Sequence, residues 1–177
     1  MNAEAPLLFF DYVDPLSYLL ERELSGLLPE LAVAPLCRVP LELRPPPGPM
    51  LDPESEEWTE RWSASCALAA DRDLHLRDPA IVPWTRKAHE LVLHADSEGL
   101  GDGAHRALFD AFFLEGRDIG RVDVLVEIAR SLGEDQSYGS VWFVLAHGLL
   151  RREEQRRTGD GAILGQLIRF HIRYWLG

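Results

Sequence analysis

The first apolar run, Leu7-Leu8-Phe9-Phe10 continued through Asp11-Tyr12-Val13, is built of strand-forming side chains and stops at Asp14-Pro15. Leu16, Leu19, Leu20, Leu24, Leu27 and Leu28 then recur at helical spacing. The pattern predicts a strand over 7–13 and a helix over 15–28 that ends near Pro29. Aspartate is a favoured N-cap, and proline is favoured at the first helical position because no N–H is required there. The join therefore brings the C-terminal end of a strand onto a helix N-terminus, a place where the helix end favours an anion.

A second strand is expected within 31–43, where Leu31, Val33, Leu36, Val39, Leu41 and Leu43 are interrupted by Pro35 and Pro40. A β-α-β start implies a parallel pair with a right-handed crossover. Arg44-Pro45-Pro46-Pro47-Gly48-Pro49 reads as a stiff extended loop. Helical patterns follow from Asp52 to Leu68, from Trp84 to about Glu98, from Ala104 to Leu114 and from Val122 to Leu132. They are separated by Asp78–Pro83, by Gly99–Gly103 and by the turn Gly116-Arg117-Asp118-Ile119-Gly120. Ser140 to Arg156 reads as helix. Between Leu167 and Leu176, Ile168, Phe170, Ile172, Tyr174 and Leu176 alternate with Arg169, His171 and Arg173, the period of a half-exposed strand.

The length of 177 residues and a hydrophobic content of 46% suffice for a domain with a substantial core. A net charge of −11 argues against nucleic acid and anionic membranes as partners. The one basic cluster, Arg151-Arg152 with Arg156-Arg157, is mixed with Glu153 and Glu154 and reads as a solvated helix face. No apolar run approaches the roughly 20 residues of a membrane span, and Met1 to Pro6 lacks the features of a signal peptide. The expectation is a cytoplasmic protein. Cys37 and Cys66 fit neither CxxC nor a zinc pattern and read as reduced, buried thiols. The six histidines show no metal-binding spacing. Gly159-x-Gly161 is too short for a phosphate loop. Trp58 and Trp62 share a helix face, most simply for packing.

Phe10-Asp11-Tyr12-Val13-Asp14-Pro15-Leu16-Ser17-Tyr18-Leu19 resembles the active-site segment of the DsbA-like superfamily. The resemblance is to the branch holding cytoplasmic DsbA-like oxidoreductases, 2-hydroxychromene-2-carboxylate isomerases and kappa-class glutathione transferases. Leu41-Glu42-Leu43-Arg44-Pro45 is similar to that branch's second strand and following loop. Trp84-Thr85-Arg86-Lys87-Ala88-His89 and the stretch Ala107 to Gly120 are similar to its helical domain. The fold this implies is α/β, a thioredoxin-like fold with an inserted all-helical domain. It would be divided into a β-α-β start (1–50), a helical insertion (51–135) and a return to the thioredoxin-like part (136–177).

The oxidoreductases carry Cys-x-x-Cys, and the isomerases and kappa-class transferases Ser-x-x-Ser, where this chain has Asp14-Pro15-Leu16-Ser17. In the place of the family's cis-proline the counterpart here is Leu167-Ile168-Arg169-Phe170, with Ile168 at the proline position. Disulfide exchange needs an attacking thiolate and a second, resolving thiol, and neither Asp14 nor Ser17 supplies one. A carboxylate at position 14 also repels a glutathione thiolate, where a cysteine or serine would accept it. Asp14 and Ser17 are the candidate catalytic residues, with an N-cap and a backbone-bonded helix serine as their simpler roles. Tyr12, Arg44, Trp84, Ile168 and Arg169 are the candidate lining of a cleft between the two parts of the fold.

Three functions follow. The first is a diverged member without redox activity, binding a small molecule or a protein partner in the cleft and needing no cofactor. The second is an isomerase or transferase using glutathione. The third is a non-catalytic scaffold that forms a homodimer through the alternating C-terminal stretch.

Overall fold

The computed structural model describes residues 6–31 and 36–134. The expected helix over 140–156, the alternating strand, Ile168 and Arg169 lie outside the described residues. The elements run β1 (Leu7–Phe10), α1 (Pro15–Leu31), β2 (Cys37–Pro40), α2 (Glu56–Ala70), α3 (Arg86–Ser97), α4 (Gly101–Phe113) and α5 (Val122–Glu134).

β1 and β2 pair in parallel, with Leu7 opposite Cys37 and Phe10 opposite Pro40. Both strands are shorter than the apolar runs suggest, for local reasons. After Phe10 the chain turns, with Asp14 N donating to Asp11 O (3.1 Å). The Asp11 carboxylate accepts from Leu43 N (2.7 Å), which ties the two strand exits together by a side chain. Pro40 lacks an N–H and is the last residue of β2. α1 continues to Leu31, past the expected stop at Pro29.

α2 begins at Glu56, not at Asp52. Ser55 is its N-cap and accepts from Trp58 N, while Asp52 turns the preceding chain by accepting from Glu54 N (2.9 Å). α4 begins at Gly101, inside what the pattern reads as a loop. A Cβ at Gly101 would collide with the Asp96 side chain, so this glycine permits close approach of α3 and α4.

The buried residues form one cluster that joins the β-α-β start to the helices. Tyr12, Tyr18, Phe109, Phe112, Phe113, Leu91, Leu108, Ile119 and Leu125 are completely buried in it. Aromatic stacking links α2 to α1. Trp58 stacks on Trp62 (5.5 Å), Trp62 on Phe113 (6.0 Å) and Phe113 on Tyr18 (4.8 Å). Such pairs add about 0.5–1.5 kcal/mol each beyond area burial. The stack holds α2, and hence Trp58, in a fixed relation to the N-terminus of α1. No helix of the described residues is long and apolar enough to cross a membrane.

Candidate functional site

The α1 N-terminus is built as a closed cap. Asp14 Oδ2 accepts from Ser17 N (2.9 Å) and from Ser17 Oγ (2.7 Å). Its other carboxylate oxygen lies 3.5 Å from an Arg61 guanidinium nitrogen on α2. Ser17 is buried, its hydroxyl committed to Asp14, with Asp11 N a further 3.5 Å away. The two candidate catalytic residues are thus bonded to each other, and the oxygen that could serve as a base is already shared between a cap, a serine and an arginine.

Beside this cap lies a cleft of about 280 Å³, with Arg44, Trp58, Arg61 and Trp84 among its lining residues. Arg44 follows β2 and pairs with Glu57 of α2 (2.6 Å). Trp84 is 40% exposed, and Trp58 closes the wall from the core side. Glu42 sits in the cleft wall and stands at the N-terminus of α3. There its Oε1 accepts from Thr85 N (3.1 Å) and Arg86 N (3.2 Å). Gly120 fits tightly behind this wall, where a Cβ would strike Pro83.

Of the residues expected at the cleft, Arg44 and Trp84 line it and Asp14 reaches it through Arg61. Tyr12 does not belong to this cleft. Its side chain turns into the core, fully buried, and its hydroxyl meets His105 Nδ1 (2.9 Å). Burial raises the Tyr12 phenol well above its ordinary value, with the Glu21 charge adding to the effect.

A second polar cluster surrounds that hydroxyl, and the linear pattern does not reveal it. His105 Nε2 is 3.5 Å from Glu21, Glu21 takes two hydrogen bonds from Arg38 (2.8 and 3.1 Å), and Arg38 reaches Asp102 (3.2 Å). Burial alone would raise the Glu21 carboxyl, but the neighbouring His105 and the hydrogen bonds from Arg38 outweigh it and bring it down to about 2. His89 is buried against Phe10 and Tyr12, with Nε2 3.4 Å from Asp11 Oδ1. Neither atom of that contact has a well-formed hydrogen bond.

Cys37 and Cys66 are free and partly buried, on β2 and α2 respectively. Burial, with the nearby Asp78 charge, raises the Cys66 thiol, which lowers its reactivity. Among the described residues no group of three or more His, Cys, Asp or Glu side chains is arranged to hold a metal ion.

A parallel β-α-β start whose helix N-terminus faces a cleft walled by further helices is the mixed α/β arrangement of a thioredoxin-like domain. A sequence model of the DSBA-like thioredoxin domain matches residues 7–141, and the chain belongs to that family. The uncharacterized protein YwbO of Bacillus subtilis (strain 168) is 31% identical over 101 residues, 55% of this chain and 50% of YwbO. The chain spans about half the length of that curated relative. Within this DsbA-like domain the two cysteines stand far apart in sequence and in different elements, at positions 37 and 66.

Arg61, Glu57 and Glu42 are site residues that the sequence reading passed over. The signal for Arg61 and Glu57 was their place on the helical turns of Trp58 and Trp62. Glu42 sits between the apolar Leu41 and Leu43 at the strand exit. The buried histidines left no comparable trace.

Proposed function

We propose that this DsbA-like domain performs no thiol–disulfide exchange and instead binds a small organic molecule in the cleft beside Asp14. One observation carries the reading. The position at the N-terminus of α1 holds a carboxylate bonded to Ser17 and paired with Arg61, directly beside a cleft of about 280 Å³ with tryptophans on its wall. In a redox-active member the helix N-terminus stabilises a thiolate that attacks a disulfide sulfur. A carboxylate gains from the same field but has no sulfur to transfer, and Ser17 has no thiol with which to resolve a mixed disulfide. The same pairing weighs against glutathione-dependent isomerase or transferase chemistry, since Ser17 Oγ donates to Asp14 and not into the cleft. That reading also places an anionic thiol beside an aspartate.

The test is an NMR titration of the full chain with small aromatic fragments and, separately, with reduced glutathione. The reading expects shifts gathered on Arg44, Trp58, Arg61 and Trp84 with fragments, and none with glutathione at millimolar concentration. Fragment shifts scattered over the surface would refute the cleft as a ligand site. Shifts at Asp14 and Ser17 with glutathione would move the assignment to the glutathione-dependent class.

A further inference from the structure

The charges around the cleft narrow the kind of molecule that fits it. Both guanidiniums of the lining already have a carboxylate, Arg44 that of Glu57 and Arg61 that of Asp14, and the lining carboxylate of Glu42 is 3.6 Å from Arg86. The two helix N-termini that open there would ordinarily attract an anion. Both are filled from within the chain, α1 by Asp14 and α3 by Glu42. Asp11 adds a buried carboxylate to the wall. The lining carboxylates of Asp11, Glu42 and Glu57 therefore outnumber the lining guanidiniums of Arg44 and Arg61, with His89 Nε2 3.4 Å from Asp11 Oδ1, in a chain whose net charge is −11. An anionic ligand would have to displace one of these internal carboxylates to reach a cation. A cation meets a slight negative excess and exposed aromatic surface. Trp84 is 40% exposed and Met50 42%, and Leu43 and Leu51 also line the cleft.

We infer that the cleft takes a small organic amine, its ring or chain on the Met50 and Leu51 surface and its ammonium against the Trp84 ring, in the cleft that Glu57 also lines. An ammonium over an indole face is held by the ring quadrupole, and the surrounding field of an acidic protein raises the local cation concentration. The inference rests on the reading of this cleft as a ligand site.

Three probes of similar shape and different charge test it on the full chain: 2-phenylethylamine, 2-phenylethanol and 3-phenylpropanoate, each titrated by NMR. The expected result is shifts at Trp84 and Arg44, with the amine bound about tenfold more tightly than the alcohol or the acid. W84A should lose about tenfold in amine affinity. E57Q, an exposed change that releases Arg44, should erase the amine preference and raise binding of the acid. Equal or tighter binding of the acid by the native chain would overturn the charge argument and leave the cleft as a ligand site. So would an amine preference that E57Q leaves intact. If no probe shifts a cleft residue at millimolar concentration, both the amine assignment and the ligand site fall together.

Discussion

Asp11 and Tyr12 are neighbours in sequence, yet they open onto two differently organised polar regions. Asp11 lines the cleft, where Arg44 with Glu57 and Arg61 with Asp14 meet near the surface, with both guanidiniums and Glu57 about half exposed. Tyr12 belongs to the buried region, where its hydroxyl meets His105, His105 Nε2 lies 3.5 Å from Glu21, and Glu21 accepts hydrogen bonds from Arg38. Pairs of the first kind contribute about 0–1 kcal/mol each, because water competes for both partners. In the second kind, removing one member strands a desolvated partner. The difference teaches where change is tolerated: the cleft is free to alter its chemistry with little cost to the fold, whereas the network behind it holds the fold together.

That contrast is most sharply exploited by D14C/S17C. If the α1 N-terminus keeps the geometry of a redox-active relative, the double variant should reduce insulin disulfides at a rate well above the free reductant. The thiol at position 14 should titrate below the usual cysteine range because of the helix end and Arg61. A turbidity assay and a thiolate absorbance titration check both points.

The next effect belongs to the buried side. E21A removes the carboxylate that His105 and Arg38 share, and should cost about 2–3 kcal/mol in urea denaturation. The pH profile of the native chain carries the same information. The Glu21 carboxyl titrates at about 2 in the fold, below its ordinary 4.5, so its contribution is present above the ordinary value. That stability is lost as pH falls from about 4.5 towards 2. Acid denaturation should be correspondingly shallower in E21Q.

Y12F leaves the ring in place but strips His105 Nδ1 of its partner. It should cost about 1–2 kcal/mol, the usual penalty for one orphaned buried polar group. The smallest effect is expected at the cleft itself. R61A breaks an exposed pair 3.5 Å long and should change stability by no more than about 0.5 kcal/mol. A loss as large as that of E21A would erase the distinction between the two regions.

Much of the cleft side was legible because its signals are local. Asp14-Pro15 marks a cap within three residues, and the proline-rich loop and the turn at Gly116–Gly120 are punctuated by residue types with fixed backbone preferences. The boundaries failed where tertiary contact overrode those preferences. The run through Tyr12 and Val13 looks like strand, but Asp11 spends its carboxylate on Leu43 N and the chain turns. Gly101 looks like loop, but its missing Cβ serves the packing of α3 on α4.

The buried network had no linear signal at all. Tyr12 and His105 are 93 positions apart, and Glu21 and Arg38 belong to different elements. Each histidine, taken singly, is indistinguishable from an ordinary helix residue. Tyr12 stands two residues before Asp14, a place in the sequence that points to the cleft. The turn after β1 sends its ring into the core instead.

The most direct measurement of the central claim is reduction of insulin disulfides by the native chain, run beside C37A/C66A. The account predicts that both proteins match the uncatalysed rate of the free reductant. Turnover above that rate by the native chain that is lost in C37A/C66A would contradict it, by placing thiol–disulfide exchange at Cys37 and Cys66.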